Sequence, residues 1–249
     1  MKIDKNKCIG CGICVPFCPS DAISIVDKLA VINQESCFEC GNCIRNEVIK
    51  CPTKAIYEPE ECINSEREIR RFFSDPATTH KATKISGRGT EEVKTNDVTG
   101  RVCRGEIGIA VEMGRPYVGT KVVDIEKVCI ALSKSGIKYE KNNPLTQLMA
   151  DANTGEFKAE YRNELILSAI IEFTIPFEKT KEILNVIKNI ANEIETVFSL
   201  DLICCFDDDY SIPVLPILDE LNMPPRMNGK VNLGLGRPFK ISRNEKGVN

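Results

Sequence analysis

Cys8-Ile9-Gly10-Cys11-Gly12-Ile13-Cys14-Val15-Pro16-Phe17-Cys18-Pro19 sets three cysteines at three-residue spacing, adds a fourth after three more residues, and closes on proline. A second run, Cys37-Phe38-Glu39-Cys40-Gly41-Asn42-Cys43, leads after seven residues to Cys51-Pro52. The two superimpose. Cys8/Cys37, Cys11/Cys40, Gly12/Gly41 and Cys14/Cys43 are offset by 29, and Cys18/Cys51, Pro19/Pro52, Ala22/Ala55 and Ile23/Ile56 by 33. One unit has been duplicated, with four extra residues in the loop of the second copy.

The rest of the chain limits what these cysteines do. Its 249 residues are 42% apolar, with 33 basic and 36 acidic side chains and a formal charge of −3. That is enough length for one large or two small domains and too apolar for a disordered chain. No apolar run approaches the roughly 18 residues of a membrane span. A cysteine is reached at position 8 without the apolar stretch of a secretory signal, so a cytoplasmic location is expected. There the reducing thiol pools favour metal-bound thiolates over disulfides for the eight cysteines between 8 and 51. The single histidine, His80, leaves too few imidazoles for His-rich zinc sites, two-His iron sites or dispersed acid–base networks. Near-neutral charge argues against nucleic acid as a partner.

Cysteines at i, i+3 and i+6 on a tightly turning loop present three thiolates to three irons of a cube-shaped cluster, and Gly12 and Gly41 let the backbone come close to the sulfurs. Structural zinc, which favours paired C-x2-C without a third cysteine at i+6, and disulfides are the competing readings. The pattern resembles bacterial-type ferredoxins with two 4Fe-4S clusters, in which the fourth cysteine of each run serves the other cluster. The resemblance covers residues 1–60. It implies one cluster on Cys8, Cys11, Cys14 and Cys51, and a second on Cys37, Cys40, Cys43 and Cys18, making the protein oxygen-sensitive. Ala22 to Ile25 and Leu29 to Ile32 around Asp27-Lys28 read as a β-hairpin. Residues 1–62 carry seven basic and nine acidic side chains. With two oxidised clusters this module reaches a charge of about −6, so a basic docking surface is expected on an electron partner.

Residues 63–104 read as a basic linker, in which Arg67, Arg70 and Arg71 lie either against the cluster module or on an ordinary solvated helix face. Residues 105–249 read as a second domain with a Pro/Gly-rich C-terminal extension. Ile107, Ile109, Val111 and Met113 alternate as in a strand, Asp124 stands where it would cap a helix containing Ile125, Val128 and Leu132, and a short strand follows at Ile137 to Glu140. Leu165 to Ile175, a helix marked by Ile183, Ile187, Ile190, Ile194 and Val197, and a strand from Leu200 to Phe206 repeat that order. The fold class expected is α+β: a two-cluster ferredoxin module followed by an α/β sandwich, βαβ-βαβ, of the ACT-like or ferredoxin-like kind.

Cys62, Cys103, Cys129, Cys204 and Cys205 make no local ligand triplet, and buried inert thiols are expected. Asp207-Asp208-Asp209 reads as a turn or a cation site. Gly-Arg-Pro occurs at 114–116 and 236–238, and Gly-Arg-Gly at 87–89. Arg88, Arg115 and Arg237 are therefore candidates for gripping an anionic substrate. Gly87-Arg88-Gly89-Thr90-Glu91-Glu92, the stretch Lys94 to Arg101 and the first Gly-Arg-Pro make residues 85–240 similar to the ferredoxin-containing part of 6-hydroxynicotinate reductases, which implies reduction of a pyridine carboxylate. Electron transfer to a redox partner or reductase subunit is the leading expectation. A reductase using the three arginines and a redox sensor with a ligand-binding domain are the rivals.

Overall fold

The computed structural model describes residues 1–45, 50–63, 65–79, 84, 102–115 and 118–227. His80, Arg88, Arg237, the Gly-Arg-Gly stretch and the second Gly-Arg-Pro lie outside the described residues.

The N-terminal module is built from four short strands: β1 (Lys2–Ile3), β2 (Ile23–Val26), β3 (Leu29–Ile32) and β4 (Ile56–Tyr57). β2 and β3 form a hairpin in which Ile23 faces Ile32 and Val26 faces Leu29. Asp27 and Lys28 turn it with φ of 49° and 64°, the double left-handed conformation that matches strand twist. β1 pairs not with a neighbour in sequence but with β4, antiparallel, Ile3 opposite Ile56. The duplicated units are thus stitched crosswise. Asp4 N–H, at the start of the first copy, donates to Ala55 O at the end of the second (2.8 Å), and Asn33 N–H, at the start of the second, donates to Ala22 O at the end of the first (2.8 Å). Met1, Ala22, Ile23, Ala30, Ile32 and Cys37 are buried together in the small core this creates. Helices α1 (Asn42–Arg45), α2 (Glu60–Ile63) and α3 (Glu68–Ser74) follow.

The second unit centres on β5 (Glu106–Met113), flanked by β10 (Ala169–Pro176) and β11 (Phe198–Ile203), both antiparallel to it. Register puts Ile109, Phe173 and Leu202 in one row and Val111, Ile171 and Leu200 in the next, so the period-2 apolar positions of all three strands share a face. Helices α4 (Val122–Ser133) and α5 (Thr180–Ile190) contribute Ile125, Val128, Leu132, Ile183, Leu184 and Ile187 to the same core. Each fully buried aliphatic side chain there contributes about 1.5–3 kcal/mol. β6 (Thr120–Lys121) with β9 (Leu165–Ile166), and β7 (Met149–Asp151) with β8 (Glu156–Phe157), form separate two-stranded pairs, and α6 (Leu215–Glu220) is the last described element. The chain therefore mixes helix and strand, with the cysteine module first.

Four local readings change. The helix read as far as Val197 ends at Ile190, leaving Ile194 and Val197 in the connection to β11. α4 begins at Val122 with Lys121 as its N-cap, so Asp124 stands inside the first turn, where its carboxylate favours the helix dipole and pairs with Lys127 at 2.8 Å. The stretch 137–140 touches the sheet through one bridge, Tyr139 to Phe173, and the Glu140 N–H bond to Glu172 O. The run 165–175 breaks into β9 and β10, because the Leu167 N–H leaves the ladder to donate to Ser74 Oγ of α3 at 2.9 Å.

That last bond belongs to the joint between the two units. α3 lies in the stretch read as linker, yet its Ile69 and Phe73 are buried in the core of the second unit. Its opposite side faces the cysteine module. The Arg70 guanidinium, 6% exposed, donates to the carbonyl oxygens of Gln34, Glu35 and Cys37 at 3.0–3.1 Å and pairs through Nε with Glu164.

Candidate metal centres

The crosswise stitching decides which cysteines meet. One hollow is lined by Cys8, Cys11, Cys14 and Cys51 together with Ile3, Ile9, Ala30 and Ile56. A second is lined by Cys18, Cys37, Cys40 and Cys43 together with Met1, Ile23, Ile32 and Phe38. Each thus takes three cysteines from one run and the fourth from the other. The hollows enclose similar space between atoms, ≈ 290 and ≈ 320 Å³, part of it open to solvent.

The backbone around them repeats closely. Gly12 and Gly41 have φ of 74° and 69°, and Asp21 and Lys54 share the left-handed conformation at 49° and 52°. Ala22 N–H donates to Cys18 Sγ at 3.3 Å, and Ala55 N–H to Cys51 Sγ at 3.3 Å. Ser20 and Thr53 hydroxyls stand 3.5 and 3.6 Å from the same sulfurs. Ala30 N–H adds a bond to Cys8 Sγ at 3.4 Å. Amide and hydroxyl donors aimed at sulfur favour thiolate and tune a bound cluster.

The donor set fits a polynuclear cluster better than a single ion or a disulfide. All thirteen cysteines are free thiols. A tetrahedral zinc at about 2.3 Å from each sulfur draws them to within about 3.8 Å of one another. Among the described residues no three Cys, His, Asp or Glu groups converge on such a point. The eight sulfurs instead surround two empty volumes.

The sites differ in electrostatics. Burial pushes up the thiols of Cys37, Cys40 and Cys43 at one site, Cys43 to about 12, and at the other that of Cys14. Burial also acts on Cys51, but the Ala55 N–H and the Thr53 hydroxyl outweigh it and hold that thiol below its ordinary value. Around the more buried site Arg67 donates to Glu39 (2.7 Å), which also receives the Met1 amino group, Arg45 pairs with the buried Asp75 (2.5 Å), and Arg71 pairs with Glu58 (3.2 Å).

Residues 1–24 match the 4Fe-4S binding domain family. Over the N-terminal segment the chain is 36% identical to Ferredoxin-1 of Rhodobacter capsulatus across 64 residues, 26% of this chain and 92% of that protein. The chain belongs to the ferredoxins. Its ferredoxin segment is also 49% identical over 49 residues to one subunit of an ion-translocating oxidoreductase complex from Methanosarcina acetivorans, covering 20% of this chain and 17% of that protein. It is 43% identical over 54 residues to pyruvate synthase subunit PorD of Methanothermobacter marburgensis, covering 22% and 58%. This chain thus spans a sixth and somewhat over half of those two proteins. No solved structure matches the chain. As a ferredoxin it is an iron–sulfur, electron-transfer protein, and among the described residues no helix is long and apolar enough to cross a membrane.

The remaining sequence candidates are placed differently. Arg115 donates to Glu112 at 2.6 Å, while Arg88 and Arg237 lie outside the described residues, so the three arginines are not brought together among the described residues. Asp207, Asp208 and Asp209 serve a turn and a surface pair: Asp207 N–H donates to Ser211 O, Asp209 accepts from Ser211 N–H, and Asp208 pairs with Arg104. Of the five further cysteines only Cys129 is buried, its thiol pushed up by burial, while Cys62, Cys103, Cys204 and Cys205 are half-buried, the last two beyond the end of β11. Sequence reasoning missed Phe38, Glu39 and Asp75. Aligning the copies would have flagged the first two, since Phe38 replaces Ile9 and Glu39 occupies, at φ 56°, the place Gly10 holds at 66°.

Proposed function

We propose that this chain carries single low-potential electrons through two 4Fe-4S clusters, as a carrier or as the electron-transfer subunit of a reductase complex. Cys8, Cys11, Cys14 and Cys51 would hold one cluster, and Cys18, Cys37, Cys40 and Cys43 the other. The observation that carries this reading is the pair of hollows, each lined by four cysteines with one donated from the opposite copy. When bound, the clusters supply one-electron redox chemistry that no side chain here provides. The chain contributes deprotonated thiolates, releasing protons from raised thiols as metal enters. It also contributes amide donors to Cys8, Cys18 and Cys51 and a buried flank at Cys37 that limits water. A redox partner protein or reductase subunit follows from the same reading, in keeping with relatives named as parts of an oxidoreductase complex and of a pyruvate synthase.

The second unit fits an α/β sandwich of the ferredoxin-like kind. Support comes from its strand sequence across the sheet, the 137–140 stretch, β10, β5 and β11, with two helices packed on one face. The reductase reading is less well supported, since the Arg115 charge is already met by Glu112. Anaerobic reconstitution followed by iron and sulfide analysis and EPR of the reduced protein tests the proposal. About eight irons and two interacting S = 1/2 centres are expected per chain. Bound zinc, or about four irons with Cys18 and Cys51 open to alkylation, would overturn it.

A further inference from the structure

The duplication makes the two cysteine loops comparable position by position, and their outer surfaces have opposite fates. In the second copy Phe38 is 2% exposed, its ring laid on Gly119 so closely that a Cβ there would stand 2.3 Å from it. The second unit thus already covers that loop, with Arg70 pinning the Cys37 carbonyl beside it. The equivalent residue in the first copy, Ile9, is 65% exposed. Asn42 is tied to Phe17 O at 2.9 Å, whereas its equivalent Ile13 is 42% exposed. Between the two isoleucines lies Cys11, the one exposed thiol of the eight. The surroundings also differ in charge. Arg67, Arg70 and Arg71 beside the covered loop are each paired with a carboxylate. Around the open loop stand exposed Lys5, Lys7, Lys28 and Lys54, against Asp4 and Asp27, and only Lys7 has an ion-pair partner among the described residues, Asp4 at 3.4 Å. The backbone of Lys28 abuts the loop directly, since a Cβ on Gly10 would meet its carbonyl oxygen.

We propose that Ile9 and Ile13, ringed by these lysines, are the docking lip for an electron-exchanging partner protein that presents an apolar recess with a carboxylate rim. The proposal rests on the two-cluster reading and adds where the partner sits: on the face of the first loop that corresponds to the face of the second loop already taken by the chain's own α/β unit. Phe38 on Gly119, with Glu164 nearby on Arg70, shows what complements such a loop. An exposed thiol edge is where an outside redox group comes nearest, and electron exchange falls steeply with distance. A small apolar centre within a charged rim is the anatomy of a transient interface below about 1,200 Å². The rim lysines act locally, within a Debye length of about 8 Å, where they offset the charge of about −2 that a bound cluster would bring to the lip, and so set orientation where the net charge of the chain does not. This reverses the charge expected of the partner from the sequence total alone.

The test uses the full reconstituted chain and two probe proteins, the acidic acceptor flavodoxin and the basic acceptor cytochrome c. Iron content and the reduced EPR spectrum are measured first. Absence of clusters in the wild type would sink the two-cluster reading itself, whereas the following arms sink only the docking proposal. With clusters intact, Ile9→Asp is expected to slow flavodoxin reduction about tenfold at low salt. Lys28→Glu is expected to slow it about fivefold and to speed cytochrome c, effects that fade as salt rises. Val118→Asp, exposed on the second unit beside Gly119, is expected to leave both rates unchanged. Unaltered flavodoxin rates in Ile9→Asp and Lys28→Glu, or an equal loss in Val118→Asp, would overturn the proposal. So would a dimer in sedimentation that Ile9→Asp disperses, which would assign the lip to a second copy of the chain.

Discussion

The two copies of the cysteine unit share a backbone and differ in their surroundings. Gly12 and Gly41, Asp21 and Lys54, and the paired amide bonds to Cys18 and Cys51 repeat to within a few degrees and about a tenth of an ångström. Yet Cys11 is exposed and Cys37 buried, and burial pushes up the three thiols of Cys37, Cys40 and Cys43. The geometry that places the cysteines is local and was copied with the sequence. The medium around them is tertiary, and it was set by where the α/β unit docked.

The strongest way to break this comparison is to remove one donated ligand. Cys51→Ser is expected to empty the hollow of Cys8, Cys11 and Cys14, taking iron from about eight to about four per chain while the signal of the other centre persists. Cys18→Ser does the reverse. If Cys51→Ser instead cost the centre at Cys37, Cys40 and Cys43, the crosswise assignment would fail. Next in size, Phe38→Ala removes a buried ring and is expected to cost about 3–5 kcal/mol, against less than about 0.5 kcal/mol for Ile9→Ala at the equivalent position. Anaerobic denaturant unfolding measures both. Equal costs would mean the docked unit adds nothing to the second copy. Arg70→Met keeps length but leaves Glu164 and three carbonyl oxygens without their donor, and about 3 kcal/mol is expected. Glu164→Gln separates the charge from the hydrogen bonds and should cost less.

Much of this was written in short-range patterns. The duplicated cysteines, the hairpin around Asp27-Lys28 and the period-2 strand at Ile107 to Met113 depend on spacing within a few residues, so a single sequence displays them. The joint does not. Arg70 and Glu164 are 94 residues apart and Ser74 and Leu167 are 93 apart, and nothing near either partner announces the other. The same holds for Asp124. Its acidity at a helix start was visible, but β6 runs straight into α4 and passes the cap to Lys121. Burial of Phe38 has the same origin. An aromatic in a cysteine loop becomes a plug only when a glycine from elsewhere offers its bare backbone.

The smallest expected effect sharpens the comparison at its most closely repeated feature. Asp21 and Lys54 occupy equivalent left-handed positions two residues after the proline that follows the fourth cysteine of each copy, with φ of 49° and 52°. A side chain there crowds the carbonyl oxygen, at about 1–2 kcal/mol for an ordinary L-residue, while aspartate tolerates the region better through its short polar group. Glycine relieves that strain but loosens the unfolded chain, which takes back part of the gain. Lys54→Gly is therefore expected to raise stability by about 0.5–1 kcal/mol and Asp21→Gly by less, read from anaerobic unfolding midpoints at unchanged iron content. Loss of stability in both would mean that the side chains, and not the backbone turn, hold the Ala22 and Ala55 amides against their sulfurs. The local half of the comparison would then rest on contacts the two copies do not share.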